Sequence, residues 1–440
     1  VDAGDLLWTR PKVTEKERPQ RELKAKLLLA ASKQLGVDAM GVGDGDLAFG
    51  IDFLVAGAKE HELPYVSANL ANPAGDLIFD RVVRVERGGK TFGITSVIHN
   101  THPFEGTTFL PLNESVAAAV AELTGTVDFV VVLSGLGLEE DKQLAQSVAG
   151  IDLIFGSHTR SMQTDPIIVG STAIFQAGSR GKHVGEATLE LREGGVGWSN
   201  DAGREAAIAR LAQVEEQMRR YDQQITEASE QRAIDRLTRL RKVTQGRYDS
   251  IYVPPKDDGT SNIISGRAVP MGKTLDDEPA MKALVDATLE QLGDTEPDDG
   301  HGHGAHESAA ANKPKGDFVG SSTCLGCHRE QYADWKDTGH ARAYKTLVAA
   351  KRQFDNDCWT CHVTGANQPG GPASAKEVGI YRSVQCEACH GAGRTHSSQP
   401  TEVHLVKTPT EATCLTCHTE EQTEGRFVFD EYLPRVDHAD

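Results

Sequence analysis

Cys324-Leu325-Gly326-Cys327-His328, Cys358-Trp359-Thr360-Cys361-His362, Cys386-Glu387-Ala388-Cys389-His390 and Cys414-Leu415-Thr416-Cys417-His418 are one five-residue pattern written four times. Together they use all eight cysteines of the 440-residue chain. A Cys-x-x-Cys pair can be half of a zinc site, and eight cysteines can form four disulfides. Neither arrangement calls for a histidine directly after every second cysteine. Attachment of c-type haem does: the two thiols form thioethers to the vinyl groups, and the adjacent His lies under the iron. The spacing therefore predicts four covalently bound haem c groups, with His328, His362, His390 and His418 as proximal ligands.

A second axial ligand decides what each iron can do. Two His ligands fill it and favour outer-sphere electron transfer, whereas an open position admits small molecules. Between Asp317 and Asp440 four histidines lie outside the motifs: His340, His396, His404 and His438. The residues alone leave each as either an axial ligand or an ordinary surface histidine.

Bulk properties narrow the class. Hydrophobic content of 38% with 25% charged residues describes a globular protein. No run approaches the roughly 20 apolar residues of a membrane span. A net charge of −18 disfavours nucleic acid and anionic lipid and favours basic redox proteins as partners. Covalent haem attachment takes place outside the bacterial cytoplasm, so a periplasmic or extracellular location is expected. Val1-Asp2-Ala3-Gly4-Asp5 shows neither a basic n-region nor an apolar h-region, which implies a leader already removed or an N-terminus that continues upstream.

Residues 1–200 alternate apolar runs with amphipathic stretches. Strands are expected at Phe129–Leu133, Ile151–Phe155, Thr172–Gln176 and Glu186–Leu191, and helices at Arg21–Gln34 and Glu114–Leu123, closed by Gly36 and Gly125. This alternation reads as α/β layers. The turns Val42-Gly43-Asp44-Gly45-Asp46 and Phe155-Gly156-Ser157-His158 are strand-end positions where such folds place ligands. Residues 201–250 are helical: Ile208, Leu211, Val214, Met218, Tyr221, Ile225, Ile234, Leu237, Leu240 and Val243 recur at intervals near three and four. They imply one long helix or a hairpin turning near Ser229, packed on its own domain or forming an oligomer seam through 203–248. Residues 251–292 are expected to close the N-terminal domain with a strand and a helix. Residues 293–316 read as a linker, whose His301, His303 and His306 are either a metal-binding cluster or a solvated segment.

The C-terminal region, 317–440, resembles the cytochrome c554 family. The matching stretches are Trp335-Lys336-Asp337-Thr338-Gly339-His340-Ala341, Val384-Gln385-Cys386-Glu387-Ala388-Cys389-His390-Gly391 with His396 beyond, and Phe427-Val428-Phe429-Asp430-Glu431-Tyr432-Leu433 leading to His438. The resemblance implies a mainly α, haem-cored domain in which His340, His396 and His438 are distal ligands and one of the four haems is five-coordinate. His404 is left as a ligand to the fourth iron or a spare.

Residues 1–200 resemble calcineurin-like metallophosphoesterases of the secreted 5′-nucleotidase type, through Val1–Asp5, Ala39–Gly50, Val66–Leu70, Val131–Gly137, Ile151–Thr159 and Gln176–Lys182. The resemblance implies a four-layer α-β-β-α sandwich and a two-metal site that generates a hydroxide nucleophile. Residue by residue the site is depleted. Asp5 matches the bridging aspartate. Asp44 stands where the family has a ligating Asn, and Gly45 where it has the catalytic His. Gly135 replaces another His, and Ser157-His158-Thr159-Arg160 keeps one His of two. The first family motif, Asp-x-His, would lie upstream of Asp5. A residual divalent metal at Asp5, Asp44 and His158, with Asp46 nearby, is the most this site implies. The chain therefore reads as an electron carrier with a phosphoesterase-like scaffold, its partners other cytochromes or a membrane respiratory complex. The alternatives are a redox-linked phosphoesterase and a haem enzyme acting on nitrogen oxides at a five-coordinate iron.

Overall fold

The computed structural model describes residues 1–99, 102–159, 161–272, 274–293, 316–423 and 426–438. Arg160 and the linker histidines His301, His303 and His306 lie outside them. Contacts divide the chain into two compact units, Val1–Val13 with Leu28–Glu278 and Thr14–Leu27 with Pro279–Asp440. The first long helix, α1 (Arg18–Leu35), contributes residues to both, and Gly36 closes it at φ +65°.

In the first unit, α2 (Ile51–Glu60) precedes the strands β1 (Leu70–Ala71), β2 (Val83–Arg87), β3 (Lys90–Ile98) and β4 (Thr108–Phe109). Then come α3 (Leu112–Leu123), β5 (Phe129–Gly135), α4 (Leu138–Ser147), β6 (Leu153–Gly156), β7 (Met162–Val169), β8 (Thr172–Ala177), β9 (His183–Glu190) and β10 (Trp198–Ser199). A six-stranded sheet runs β2-β3-β5-β6-β8-β7; its inner four strands are parallel and its edge strands antiparallel. A three-stranded sheet joins β10 and β9 to β11 (Asn262–Pro270).

Strand β5 shows why these layers form. Val130 and Val132 point to one side and pack with Val116, Val120, Leu123 and Leu144 of α3 and α4. Phe129, Val131 and Leu133 point to the other and pack with Trp198 and Ile264 of the second sheet. Both faces are apolar because both are covered, as parallel strands require. The layers are thus helix, sheet, sheet.

The helical segment is a hairpin, α5 (Asp201–Glu227) and α6 (Gln231–Asp249), broken by extended backbone at Ala228 and Glu230. It pairs with itself: Tyr248 Oη donates to Glu215 at 2.8 Å and Arg241 meets Asp222 at 3.1 Å. Met218 is buried, while Ile208, Leu240 and Val243 are exposed.

The second unit is built from short helices. After α7 (Pro279–Leu292) come α8 (Ser321–Cys324), α9 (Arg329–Lys336), α10 (Ala343–Ala349), α11 (Asn356–His362), α12 (Cys386–His390), α13 (Arg394–Ser398), α14 (Glu411–Leu415), α15 (Glu420–Thr423) and α16 (Phe429–Tyr432). The reading of 251–292 as one closing piece of the N-terminal domain is corrected here: β11 lies in the first unit and α7 in the second. The reason is packing. Leu292 is buried, its carbonyl accepts from Gln20 at 3.4 Å, and Glu290 pairs with Lys351 at 3.4 Å. Buried Glu387 accepts the backbone N–H groups of Val319, Gly320 and Gly393 at 2.7–2.9 Å, and Gln385 accepts that of Ser321 at 2.5 Å. These bonds join the turn before the first motif to the third.

Asp141, in the first turn of α4, is fully buried and accepts a hydrogen bond from the Ser134 hydroxyl. Burial pushes its carboxyl from 3.8 up to about 7, against the pull of Ser134 and Gln176. A carboxyl with its folded-state pKa above the unfolded one holds its proton more tightly when folded. Its contribution is full below pH 3.8 and is lost as pH rises through about 7. Asp141→Asn should remove this loss, on the order of 4 kcal/mol at most. The check is urea unfolding at about pH 5 and about pH 8; an unchanged pH slope in the variant rejects the assignment.

Candidate haem sites and the strand-end pocket of the first unit

Each Cys-x-x-Cys-His stretch forms about one helical turn. In the first motif the N–H groups of Cys327 and His328 both donate to Cys324 O, at 3.1 and 2.9 Å, and the fourth motif repeats this with Cys417, His418 and Cys414. The second and third motifs lie in α11 and α12. Residues three and four apart share a helix face, so both thiols and the imidazole of a motif point the same way. All eight thiols are free of disulfides. Cys324 and Cys386 are hydrogen-bonded to each other, as are Cys361 and Cys417. The first attachment site therefore lies beside the third, and the second beside the fourth.

Three motif histidines face a histidine from elsewhere in the unit. Ring centroids of His328 and His396 are 6.2 Å apart, those of His418 and His340 6.1 Å, and those of His390 and His438 5.7 Å. Two metal–nitrogen bonds of about 2 Å each, plus the ring radii, add to roughly 6 Å, so each pair fits one iron between its rings. Tautomers agree. His390 Nδ1 lies 2.6 Å from Val406 O, His396 Nδ1 2.6 Å from Val403 O, and His362 Nδ1 2.8 Å from Ala343 O. A carbonyl only accepts, so Nδ1 carries the hydrogen and Nε2 keeps its lone pair for a metal. Burial, and then His418, holds His340 below the usual imidazole range; burial does the same to His418. Both shifts favour the neutral imidazole.

Among the described residues His362 faces no second histidine ring. His404 is exposed and joins none of the pairs. Two of the sequence stretches that define the C-terminal resemblance meet directly: Trp335 Nε1 donates to Val384 O at 2.8 Å, and Val384 N donates to His340 O at 3.2 Å. The third brings Phe427 to stack on His418 at 4.8 Å.

The first unit gathers Asp5, Asp44, Asp46 and His158 at strand ends, but in separate contacts. His158 Nδ1 lies 3.7 Å from Asp5 Oδ2, and His102 Nδ1 lies 3.6 Å from Asp44 Oδ2. Asp46 is fully buried with both oxygens occupied, Oδ1 by the N–H of Leu7 and Oδ2 by those of Asp5 and Gly43. Asp5 Oδ1 accepts the N–H of Gly45 at 2.8 Å. A side chain at Gly45 would place its Cβ 1.8 Å from Trp8 O, whereas at Gly135 the nearest atom, Val42 O, is an ordinary 3.4 Å away. Among the described residues no three His, Cys, Asp or Glu side chains converge as a cation requires. This donor set does not fit a two-metal centre. Sequence reasoning missed His102; nothing in its surroundings marks it, because it reaches Asp44 only through the fold.

The comparisons with known proteins divide the same way. The family described as cytochrome c554 and c-prime matches residues 323–391. Cytochrome c-554 of Nitrosomonas europaea is 34% identical over 97 residues, covering 19% of this chain and 40% of that protein. The uncharacterised metallophosphoesterase YunD of Bacillus subtilis is 26% identical over 159 residues, 34% of each chain. The 5′-nucleotidase of Mus musculus is 29% identical over 140 residues, 29% of this chain and 24% of that protein. The chain thus spans between 24% and 40% of the length of these relatives. It is a fusion of a metallophosphoesterase region of the 5′-nucleotidase type with a C-terminal region of the cytochrome c554 type.

Proposed function

We propose that this chain is a multihaem electron carrier working outside the bacterial cytoplasmic membrane. The three facing histidine pairs carry this reading. Four haem c groups are held through Cys324 and Cys327, Cys358 and Cys361, Cys386 and Cys389, and Cys414 and Cys417. His328 with His396, His418 with His340, and His390 with His438 each supply two axial nitrogens to one iron. His362 binds its iron alone, leaving one position open, and His404 is not a ligand. When bound, such haems cycle between ferric and ferrous forms one electron at a time. The protein's part is to hold imidazoles neutral and oriented through their carbonyl partners. The same reading takes the helix-sheet-sheet layering as part of an α-β-β-α sandwich and the haems as the core of the second unit. The acidic chain favours basic redox proteins or a membrane complex as donor and acceptor. No helix among the described residues is long and apolar enough to cross a membrane. The hairpin of α5 and α6 serves as an oligomer seam or docking surface.

In this reading the phosphoesterase-like domain is a scaffold. Asp5 and Asp46 accept backbone hydrogen bonds, Asp44 faces His102, and the general-acid position is closed by the Trp8 carbonyl. The open iron at His362 supports a second reading, a haem enzyme binding a small ligand there.

Elemental analysis should find about four Fe per chain with no stoichiometric Mn or Zn. Carbon monoxide added to the reduced protein should shift the absorbance of about one haem in four, and of about two in His396→Ala. No shift in the parent means that every iron is filled, and rejects the open site at His362.

A generic phosphoester should not turn over with Mn or Zn present. Gly135→His should leave stability almost unchanged, while Gly45→His should cost about 1–3 kcal/mol, and neither should revive hydrolysis. Metal-dependent turnover in the parent, abolished in Asp5→Ala, would show the scaffold reading to be wrong.

A further inference from the structure

The turn leading into the second motif is held from the opposite end of the sequence. Asp355 is buried and caps α11 by accepting the N–H of Asp357 at 3.0 Å. Two of the three cations that neutralise these two carboxylates belong to α1, the third being Arg352 at 3.2 Å from Asp355. Lys24 Nζ lies 2.5 Å from Asp355 Oδ1 and 2.7 Å from Asp357 Oδ2, and Arg21, itself buried, pairs with Asp357. Gln20 ties the backbone of the same turn: its Nε2 donates to Phe354 O at 2.8 Å, and its Oε1 accepts the N–H of Asn356 at 3.1 Å. All three residues fall within Thr14–Leu27, the stretch whose contacts place it in the second unit. Cys358 follows Asp357 directly, and His362 ends the helix.

We propose that Gln20, Arg21 and Lys24 are positioning residues for the haem attached at Cys358 and Cys361. They hold the turn that carries the motif, and they set the net charge beside its iron. This rests on the haem reading above. Arg21, Lys24 and Arg352 face Asp355 and Asp357, and Arg21 also pairs with Glu17 at 3.8 Å, so three cations balance three carboxylates and removing any one leaves a net charge. Charges near a protein interior act through an effective dielectric of about 20 rather than about 80. Positive charge nearby favours the reduced iron, and negative charge favours the oxidised one. Removing a cation therefore lowers the potential, and removing a carboxylate raises it. A purely structural role would lower stability in both cases without opposite signs.

The test is a spectroelectrochemical titration of the haem-loaded full chain, with the signal of this haem assigned through His362→Met. Lys24→Gln and Arg21→Gln should each lower its reduction equilibrium constant by about threefold to tenfold. Asp357→Asn should raise it by a similar factor, with the other haems moving less than about twofold. Shifts of one sign in all variants, no shift, or equal shifts at every haem overturn the proposal. Should Arg21→Gln fail to fold, Lys24→Gln and Asp357→Asn still supply the opposite-sign pair. The two failures are distinguishable: absence of haem at Cys358 and Cys361 in the parent defeats the functional reading, whereas full haem content with unmoved potentials defeats only this inference.

Discussion

An imidazole whose Nδ1–H is tied to a backbone carbonyl can present only Nε2 to a metal, and the second unit is organised around this constraint. Val406 O, Val403 O and Ala343 O fix the rings of His390, His396 and His362. Val403 and Val406 lie on the loop between α13 and α14 and Ala343 opens α10, so loop and helix start have to run where the rings need them. The partner histidines come from separate elements: His340 follows α9, His396 lies within α13 and His438 follows α16. Pairing them with His418, His328 and His390 closes the chain across itself three times. Polar bonds lock the result. The Glu387 carboxylate takes three backbone N–H groups and thereby joins the approach to the first motif to the third. A side chain that is one of the two variable residues of its motif is thus part of the framework.

In the first unit Asp5 and Asp46 accept hydrogen bonds from the unit's own backbone. Asp46 is the more enclosed of the two. Burial, with the charge of Asp5 adding to it, pushes its carboxyl up to about 7, while the backbone donors of Gly43 and Leu7 pull it back. Both of its oxygens are turned to backbone donors. Asp5 and His158 are both held at positive φ, 61° and 69°. That backbone conformation is disfavoured for residues other than Gly, and it survives because Gly45 N–H and Ser157 anchor the two turns. These contacts fix the geometry of the two turns.

How much of this was legible in the sequence depends on the range of each interaction. Helical placement of the thiols and imidazole in each motif needs only five residues, and it could be read directly. So could the strands expected at Phe129–Leu133 and Thr172–Gln176, which run on to Gly135 and Ala177. Spacing in 203–248 left one long helix or a hairpin near Ser229 open, and it did not say which side of the stripe is covered: Met218 is buried and Val243 exposed. Partners for the motif histidines were legible only through resemblance, since nothing local to His340 points to His418. The grouping of α7 was misread because its amphipathic pattern fits any apolar neighbour; what decides is the Gln20 and Lys351 contacts. Arg21 and Lys24 looked like ordinary helix charges for the same reason. Their partners, Asp355 and Asp357, lie at the far end of the chain.

Apolar burial in the second unit is concentrated round one motif. Trp359 and Val363 are buried with Phe318, Tyr344, Leu347, Ala375, Val378 and Tyr381, and Cys358 packs against them. Among the described residues no comparable cluster surrounds the other three motifs. Hydrogen bonds such as those of Glu387 specify geometry, but each contributes little net stability, and short helices are unstable in isolation. On the proposed reading the missing apolar surface is the haem faces themselves, so attachment and folding of this unit are one coupled event. Among the described residues the second motif alone has such an apolar cluster behind it, and it is also the motif whose histidine faces no second histidine ring. An iron open on one side cannot use a second imidazole to fix its place. Its helix has to be held from behind, by packing around Trp359 and by the bonds that Gln20, Arg21 and Lys24 make to its first turn.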